Sequence, residues 1–297
     1  MPKENPQTKA RVAPLLVPRS LAHSLLQLYD IRDPHRPGRV IHGYDRPHAL
    51  RTARMCAAVA QELGHAEVRL IRYQTACLLH DLGRAGLERR TFGKIWSWAK
   101  ARGIPTRPRQ WRAVHPDTPY GRETEAFLER HGEALKRSGI ILDRMAKEQI
   151  EMRLGYARRF RRRLRLVRPI LKRLGVRWAS WMEMVVLYYY YPEKVDRAPA
   201  WVRELAEVLV ACEQFEAYNN RQRGRDYYVR TRERLTEAFD YLEKLRLEGI
   251  LSIRVVQAVR KLAAAGTFDA ILQESRGGRL SNKDRAYLRG LTWELAP

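Results

Sequence analysis

The stretch best suited to chemistry is Leu78-Leu79-His80-Asp81-Leu82-Gly83-Arg84, where a histidine stands directly against an aspartate, after an apolar run and before a glycine. Neighbours within a helix do not share a face, but at a helix end an imidazole nitrogen and a carboxylate oxygen can turn onto one cation. Three other places offer donors. His48 opens the preceding predicted helix, Glu213 is an acid within a largely apolar predicted helix, in Ala211-Cys212-Glu213-Gln214-Phe215-Glu216-Ala217, and His115 stands in His115-Pro116-Asp117. Imidazoles with carboxylates suit iron, manganese or zinc, and oxygen-rich sets suit manganese or magnesium. One or two divalent ions are therefore expected as cofactor. An ion so held lowers the pKa of water and makes a nucleophile at neutral pH. The structural alternatives are a helix-capping Asp81 beside an ordinary buried histidine and, for Glu213, an ion pair with one of many arginines.

The elements that must position these groups read as helices. Residues 48–63 carry Leu50, Ala53, Ala57, Val59, Ala60 and Leu63 at helical spacing and close on Gly64. Residues 66–80 follow, with Val68, Ile71, Thr75, Leu78 and Leu79 expected inward. The tight connection makes the two helices antiparallel neighbours, which returns His48 to the side of His80 and Asp81. Further helices are expected over residues 14–29, 92–101, 123–136, 178–191, 199–219, 232–247 and 251–264, and in part of 275–297. Residues 33–38 and 103–108 read as loops, and 111–120 as irregular, because Pro116 and Pro119 interrupt it. The strongly basic segment 147–174 is two-faced, with Leu164, Val167, Ile170, Leu171 and Leu174 among its arginines, and Pro169 is expected to kink or split it. No run alternates with a period of two. The expectation is an all-α fold: an N-terminal helical extension over 1–41, a helical domain over 42–265 with a basic helical insertion at about 145–178, and a tail over 266–297.

Composition narrows the partners. Of 297 residues 45% are hydrophobic, enough for a substantial core. No apolar stretch approaches the roughly 20 residues of a membrane span, and the polar first residues, frayed by expectation, carry no signal-peptide pattern. Cys56, Cys77 and Cys212 have no CxxC spacing and read as buried free thiols in a reducing cytoplasm. The net charge of +24 attracts polyanions: RNA, DNA, an anionic lipid surface or nucleotides. Arg158, Arg161, Arg162 and Arg163 are the candidate polyanion contacts, with Phe160 or Trp178 near for stacking. A solvated helix face and a general bias towards arginine explain the same residues.

His48 with Leu78-Leu79-His80-Asp81-Leu82-Gly83-Arg84 resembles the signature of the HD superfamily of metal-dependent phosphohydrolases. Later parts resemble its HD-GYP branch. His115-Pro116 with Gly121 is similar to that branch's third-histidine segment, and residues 210–217 to its A-D-x-F-D-A helix, followed by the arginine-rich 221–225 and Tyr227. The likeness covers roughly residues 42–265. It implies an HD-like helical bundle that hydrolyses phosphate esters of a nucleotide or cyclic dinucleotide, notably cyclic di-GMP. It also implies metal ligation by His48, His80, Asp81, Glu213 and His115, with catalytic roles for Asp81 and Arg84. Substrate contacts fall to Arg84, Tyr190, Tyr191 and Lys194, and to the arginines at 221, 223 and 225. Four departures stand against the pattern. Tyrosines of Tyr188-Tyr189-Tyr190-Tyr191 replace paired histidines, Asp196-Arg197-Ala198-Pro199 lies where GYP is expected, Glu213 replaces an aspartate, and Arg84 a lysine. Tyrosine, with a reference pKa of about 10, is a poor ligand unless ionised. The other expectation is therefore a catalytically degenerate domain that binds nucleic acid or a nucleotide second messenger through its basic surface.

Overall fold

Apolar residues at helical spacing, broken by glycine and proline, build an all-α fold. The computed structural model describes residues 12–33, 38–228, 230, 232 and 235–291. In chain order its helices are α1 Arg19–Gln27, α2 Arg46–Glu62, α3 Glu67–Leu78, α4 Arg89–Ala101, α5 Pro108–Val114, α6 Glu123–Arg137, α7 Arg144–Leu154 and α8 Tyr156–Arg173. Then come α9 Ser180–Leu187, α10 Ala200–Asn219, α11 Arg221–Tyr228, α12 Leu235–Leu247, α13 Ile253–Ala264, α14 Asp269–Ser275 and α15 Asn282–Arg289. Single 3-10 turns occur at Leu82–Arg84 and Pro192–Val195. The strands are β1 Ile31–Arg32 and β2 Val40–Ile41, an antiparallel pair with Ile31 opposite Ile41.

The organising element is α10. It is apolar around most of its circumference (Val202, Leu205, Leu209, Val210, Phe215), and a helix of that kind must be enclosed. α2, α9, α12, α13, α11 and α14 pack around it. α2 fits between α3 and α10 because its buried side chains are small: Ala49, Ala53, Cys56, Ala57 and Ala60. The three cysteines, one each from α2, α3 and α10, are free thiols buried in this main core. α1 packs on α2 and α3, and α14 and α15 join the same core through Ile271, Leu272 and Leu288. A second core, built from Phe92, Trp96, Trp111, Phe127 and Ile150, lies among α4, α5, α6 and α7.

Several local expectations are corrected. The buried face of α3 is Leu70, Tyr73, Gln74 and Cys77, while Val68 and Ile71 are exposed. The helix turns that face inward because Gln74 accepts from the backbone N–H groups of Leu16 and Val17 and donates to the Pro14 carbonyl. α1 begins only at Arg19, with Pro18 as its N-cap. α5 is regular through Val114, since Pro108 occupies the first turn, where a missing N–H costs nothing. The basic segment is broken at Gly155, between α7 and α8, and α8 runs through Pro169. Pro169 is on the exposed side, as is Arg165, whose carbonyl loses its helical partner and can turn to water. Expectations for residues 1–11, 34–37, 229, 231, 233, 234 and 292–297 lie outside the described residues. Among the described residues no helix is long and apolar enough to cross a membrane.

Candidate metal centre

The histidine–aspartate pair sits where α3 gives way to the Leu82–Arg84 turn, and four side chains fix that turn. The His80 ring nitrogen Nδ1 lies 2.7 Å from the Cys77 carbonyl. The Tyr156 hydroxyl donates to the His80 carbonyl. The Tyr29 hydroxyl donates to the Leu78 carbonyl at 2.9 Å and accepts from the Asp81 N–H at 3.2 Å. Arg159, buried on α8, donates from Nε to the Gly83 carbonyl at 2.6 Å and from Nη2 to the Ala85 carbonyl at 2.8 Å. Gly83 is required here, because a Cβ would come within 2.7 Å of the Tyr156 ring.

The antiparallel pairing of α2 and α3 brings His48 to this turn. Its Nε2 is 3.3 Å from His80 Nε2, and Asp81 Oδ2 is 3.7 Å from each. From α10, Glu213 completes a set with His48 and His80 whose ligand atoms all lie within 4.8 Å of one another. The hydrogen-bond partners of the rings assign the tautomers. His48 Nδ1 contacts Glu216 Oε2, and Glu216 stays ionised down to about pH 2, because His48 and Arg51 outweigh the effect of burial. A carboxylate only accepts, so the proton is on His48 Nδ1. The Cys77 carbonyl likewise requires the proton on His80 Nδ1. In the neutral rings the two Nε2 lone pairs then face each other across 3.3 Å with no hydrogen between them. Two imidazole lone pairs with carboxylate oxygens are a cation's donor set, and the residues fit a divalent ion.

The surroundings hold His48 and Asp81 in their binding forms. Burial, reinforced by Arg223, pushes the His48 pKa down to about 3, against the pull of Glu216. Burial alone would raise Asp81, but the guanidinium groups of Arg84 and Arg223 hold its carboxyl well below the usual range. Arg84 Nε lies 3.3 Å from Asp81 Oδ1, and Arg223 Nη2 lies 3.1 Å from Oδ2. Arg223 Nε is also 3.4 Å from Asp45 Oδ1.

Two expected results follow. Glu216→Gln leaves His48 without its anionic partner and lowers metal affinity about 10–100-fold, as measured by competition with a chelating dye. His48 and Glu216 both take up protons on unfolding, their ordinary values being 6.5 and 4.5. The unfolded chain therefore binds more protons below about pH 6.5, and stability falls as the pH drops towards 2. Thermal melts of chelator-treated protein should show Tm declining through that window; a flat profile contradicts the charge states assigned here.

The remaining residues singled out in the sequence scatter. Tyr190 is at the centre: its ring stacks on Tyr156 at 4.4 Å beside Arg84, and burial pushes its pKa up to about 12, which keeps it a neutral phenol. Tyr191 and Lys194 gather instead with Tyr120 and Arg112 in a separate cation–aromatic cluster. His115 does not join the converging donors; its ring packs 4.3 Å from Trp111 at the end of α5. Arg221 and Arg225 are exposed on α11, with Arg225 paired to Asp226, so helical phase turns only Arg223 of that stretch inward. Arg158 is engaged by Glu151, Glu123 and Glu125, Arg161 by Glu183, and Arg163 donates to the Leu28 carbonyl, while Arg162 is exposed. Sequence reasoning did not find Asp45, Arg51 or the role of Glu216. The one available signal was that Glu216 follows Glu213 by three residues and so shares its helix face.

Beside α10 lies a cavity of about 860 Å³, whose lining includes Trp96, Arg107, Arg153, Gln214, Tyr218 and Tyr227. None of the converging donors is among its lining residues; one of these, Tyr227, donates from its hydroxyl at 3.2 Å to Asp45, the carboxylate that pairs with Arg223.

Residues 47–145 match the family model of the HD domain, a third of the chain that includes His48, His80 and Asp81. No curated protein and no solved structure matches the chain.

Proposed function

We propose, from the HD-domain match and the donor geometry together, that this chain is a metal-dependent phosphohydrolase acting on a nucleotide or cyclic dinucleotide phosphate ester. The observation that carries this reading is the facing pair of His48 and His80 Nε2 atoms, 3.3 Å apart with carboxylate oxygens beside them. His48, His80 and Glu213, with Asp81, would hold the ion. A bound divalent cation supplies Lewis acidity, lowering the pKa of water and stabilising charge on phosphate.

The chain's own residues do the rest. Glu216 keeps the His48 proton on Nδ1, leaving Nε2 as a donor. Arg84 and Arg223 present permanent positive charge to the phosphate. Tyr190, neutral at physiological pH, offers a hydroxyl proton to an ester oxygen. His48, His80 and Asp81 are buried, which strengthens each of these interactions by excluding water. The cavity of about 860 Å³ beside α10, with Arg107 and Arg153 in its lining, supports an anionic ligand of nucleotide size. The test is hydrolysis of bis(p-nitrophenyl) phosphate and of cyclic di-GMP by the full chain loaded in turn with manganese, iron, magnesium and zinc. Turnover that a chelator abolishes supports the reading. A metal-loaded chain that turns over neither ester with any of the four sinks it.

A second reading rests on the outer face of α8, where Arg162, Arg165, Arg168, Lys172 and Arg173 are all exposed. This row suits the backbone of a single-stranded or duplex nucleic acid. Arg162→Glu with Arg165→Glu is expected to weaken RNA binding for all sequences alike and to reduce the salt dependence by roughly two units of slope. Unchanged binding would remove that role from α8.

A further inference from the structure

The C-terminal helices gather a second set of guanidinium groups, outside the residues 47–145 that match the HD domain. Between α14 and α15 lies a cleft of about 520 Å³, whose lining includes Arg221, Gln273, Arg276, Arg279, Ser281 and Arg285 and none of the converging donors. The loop that shapes it is fixed. Gly277 and Gly278 have φ of 77° and 99°, a left-handed pair that suits glycine. Gln273 donates from Nε2 to the Gly278 carbonyl at 3.0 Å and accepts from the Gly278 N–H on its own carbonyl at 2.8 Å. Leu280, buried in the main core, pins the far end, so Arg279 is carried between two anchored points. Arg276 is 7% exposed and ties the loop to the body. It donates from Nη1 to Asp284 Oδ2 at 2.6 Å and from Nη2 to Oδ1 of the buried Asn219, the last residue of α10.

The acids nearby do not balance this charge. Asp284 Oδ2 is taken up by Arg276 and by the Ser281 hydroxyl, which donates to it at 2.6 Å. Asp269 Oδ2 lies 2.5 Å from Arg289 Nη2 and 3.6 Å from Arg285 Nη1. Glu274 turns away to Arg54 at 3.4 Å. Among the described residues no acid pairs with Arg279, which is exposed. The guanidinium groups of Arg276, Arg279, Arg285 and Arg289 therefore share two carboxylates, with Arg221 at the edge of the same cleft. The first turn of α15 adds the positive end of a helix dipole. Guanidinium forks match the oxygens of phosphate. No aromatic side chain lines the cleft, so it offers a base or a single strand no stacking platform.

We infer that the cleft between α14 and α15 is a second anion site, separate from the metal centre, that binds the diphosphate group of a small ligand. Arg279 and Arg285 grip the phosphate oxygens, and Arg276, held by Asp284 and Asn219, gives the cleft its floor. The inference does not rest on the phosphohydrolase reading.

The experiment uses the full chain freed of metal, with inorganic diphosphate as the probe. Calorimetry is run at about 0.15 M salt, where attraction by the net charge is screened beyond about 8 Å. Arg279→Gln and Arg285→Gln are each expected to weaken diphosphate binding, and the double variant by about tenfold or more. Both residues are exposed, so the fold survives, as a thermal melt will show. Arg162→Gln removes the same charge from exposed α8 and should leave the affinity unchanged. ADP should bind about as tightly as diphosphate, since nothing in the cleft holds its base. Amide hydrogen exchange should slow over residues 276–283 when diphosphate is added. Equal losses in Arg162→Gln and Arg279→Gln mark attraction by net charge alone and overturn the inference. Protection over residues 78–84 instead of 276–283 overturns it as well, by placing the ligand at the metal centre. A single-stranded RNA whose binding depends on Arg279 and Arg285 while that of diphosphate does not would assign the cleft to nucleic acid and overturn it too.

Discussion

His80→Ala is expected to leave the purified protein free of metal and to lower phosphodiester hydrolysis by about a thousandfold or more. The substitution removes one of the two imidazole donors that face each other and leaves His48 and Glu213 with an incomplete set. Metal affinity should therefore fall further than the about 10–100-fold expected when only the supporting carboxylate Glu216 is neutralised. The loss of rate corresponds to the several kcal/mol of charge stabilisation that a bound metal supplies. Stability in chelator should change little by comparison. The hydrogen bonds that hold the turn through Tyr29, Tyr156 and Arg159 use the backbone of residues 78–85 and survive the substitution. Elemental analysis, a rate measurement and a thermal melt of the same preparation separate these effects. Metal content equal to wild type would contradict the site.

Arg159→Ala is expected to destabilise the protein by about 3–5 kcal/mol and to weaken metal binding as a consequence. Arg159 touches no candidate ligand. Its guanidinium joins Glu148, at 2.5 Å, to the carbonyls of Gly83 and Ala85, immediately after Asp81. Alanine leaves both carbonyls without this partner in a closed environment and frees the turn that aims Asp81. Denaturant titration measures the first effect and metal titration the second. Arg162→Ala, three residues on along the same basic helix and exposed, should stay within about 0.5 kcal/mol of wild type. Equal behaviour of the two variants would mean that Arg159 has no special structural part.

That contrast shows what the sequence made legible and what it hid. Helix identity was readable, because apolar spacing and glycine or proline stops are local signals. The approach of His48 to His80 was readable as well, since a short connection leaves antiparallel packing as the economical arrangement. Helix phase was less so: Val68 and Ile71 looked like the inner face of α3, but the hydrogen bonds of Gln74 to the segment before α1 turn that face elsewhere. The arginines were hardest. Arg158, Arg159, Arg161, Arg162 and Arg163 are chemically alike and fall within six positions, yet one is enclosed under the turn, three are engaged by acids or a carbonyl, and one is free to meet solvent. Arg223 repeats this within α11, between exposed Arg221 and Arg225. Which arginine enters depends on where a carboxylate or carbonyl from a distant segment waits, and composition carries no trace of that.

The donors at the centre come from three separate pieces of chain: the first turn of α2, the end of α3, and the middle of α10. An ion that joins them is a cross-link as well as a reagent. Ligand that binds only the folded form adds about 2.7 kcal/mol of stability at a hundred times its dissociation constant. Occupancy and folding are then one equilibrium seen from two sides. Amide hydrogen exchange should slow together in these three segments as metal is added, and a cell short of the ion would hold less of the folded protein, not merely less active protein.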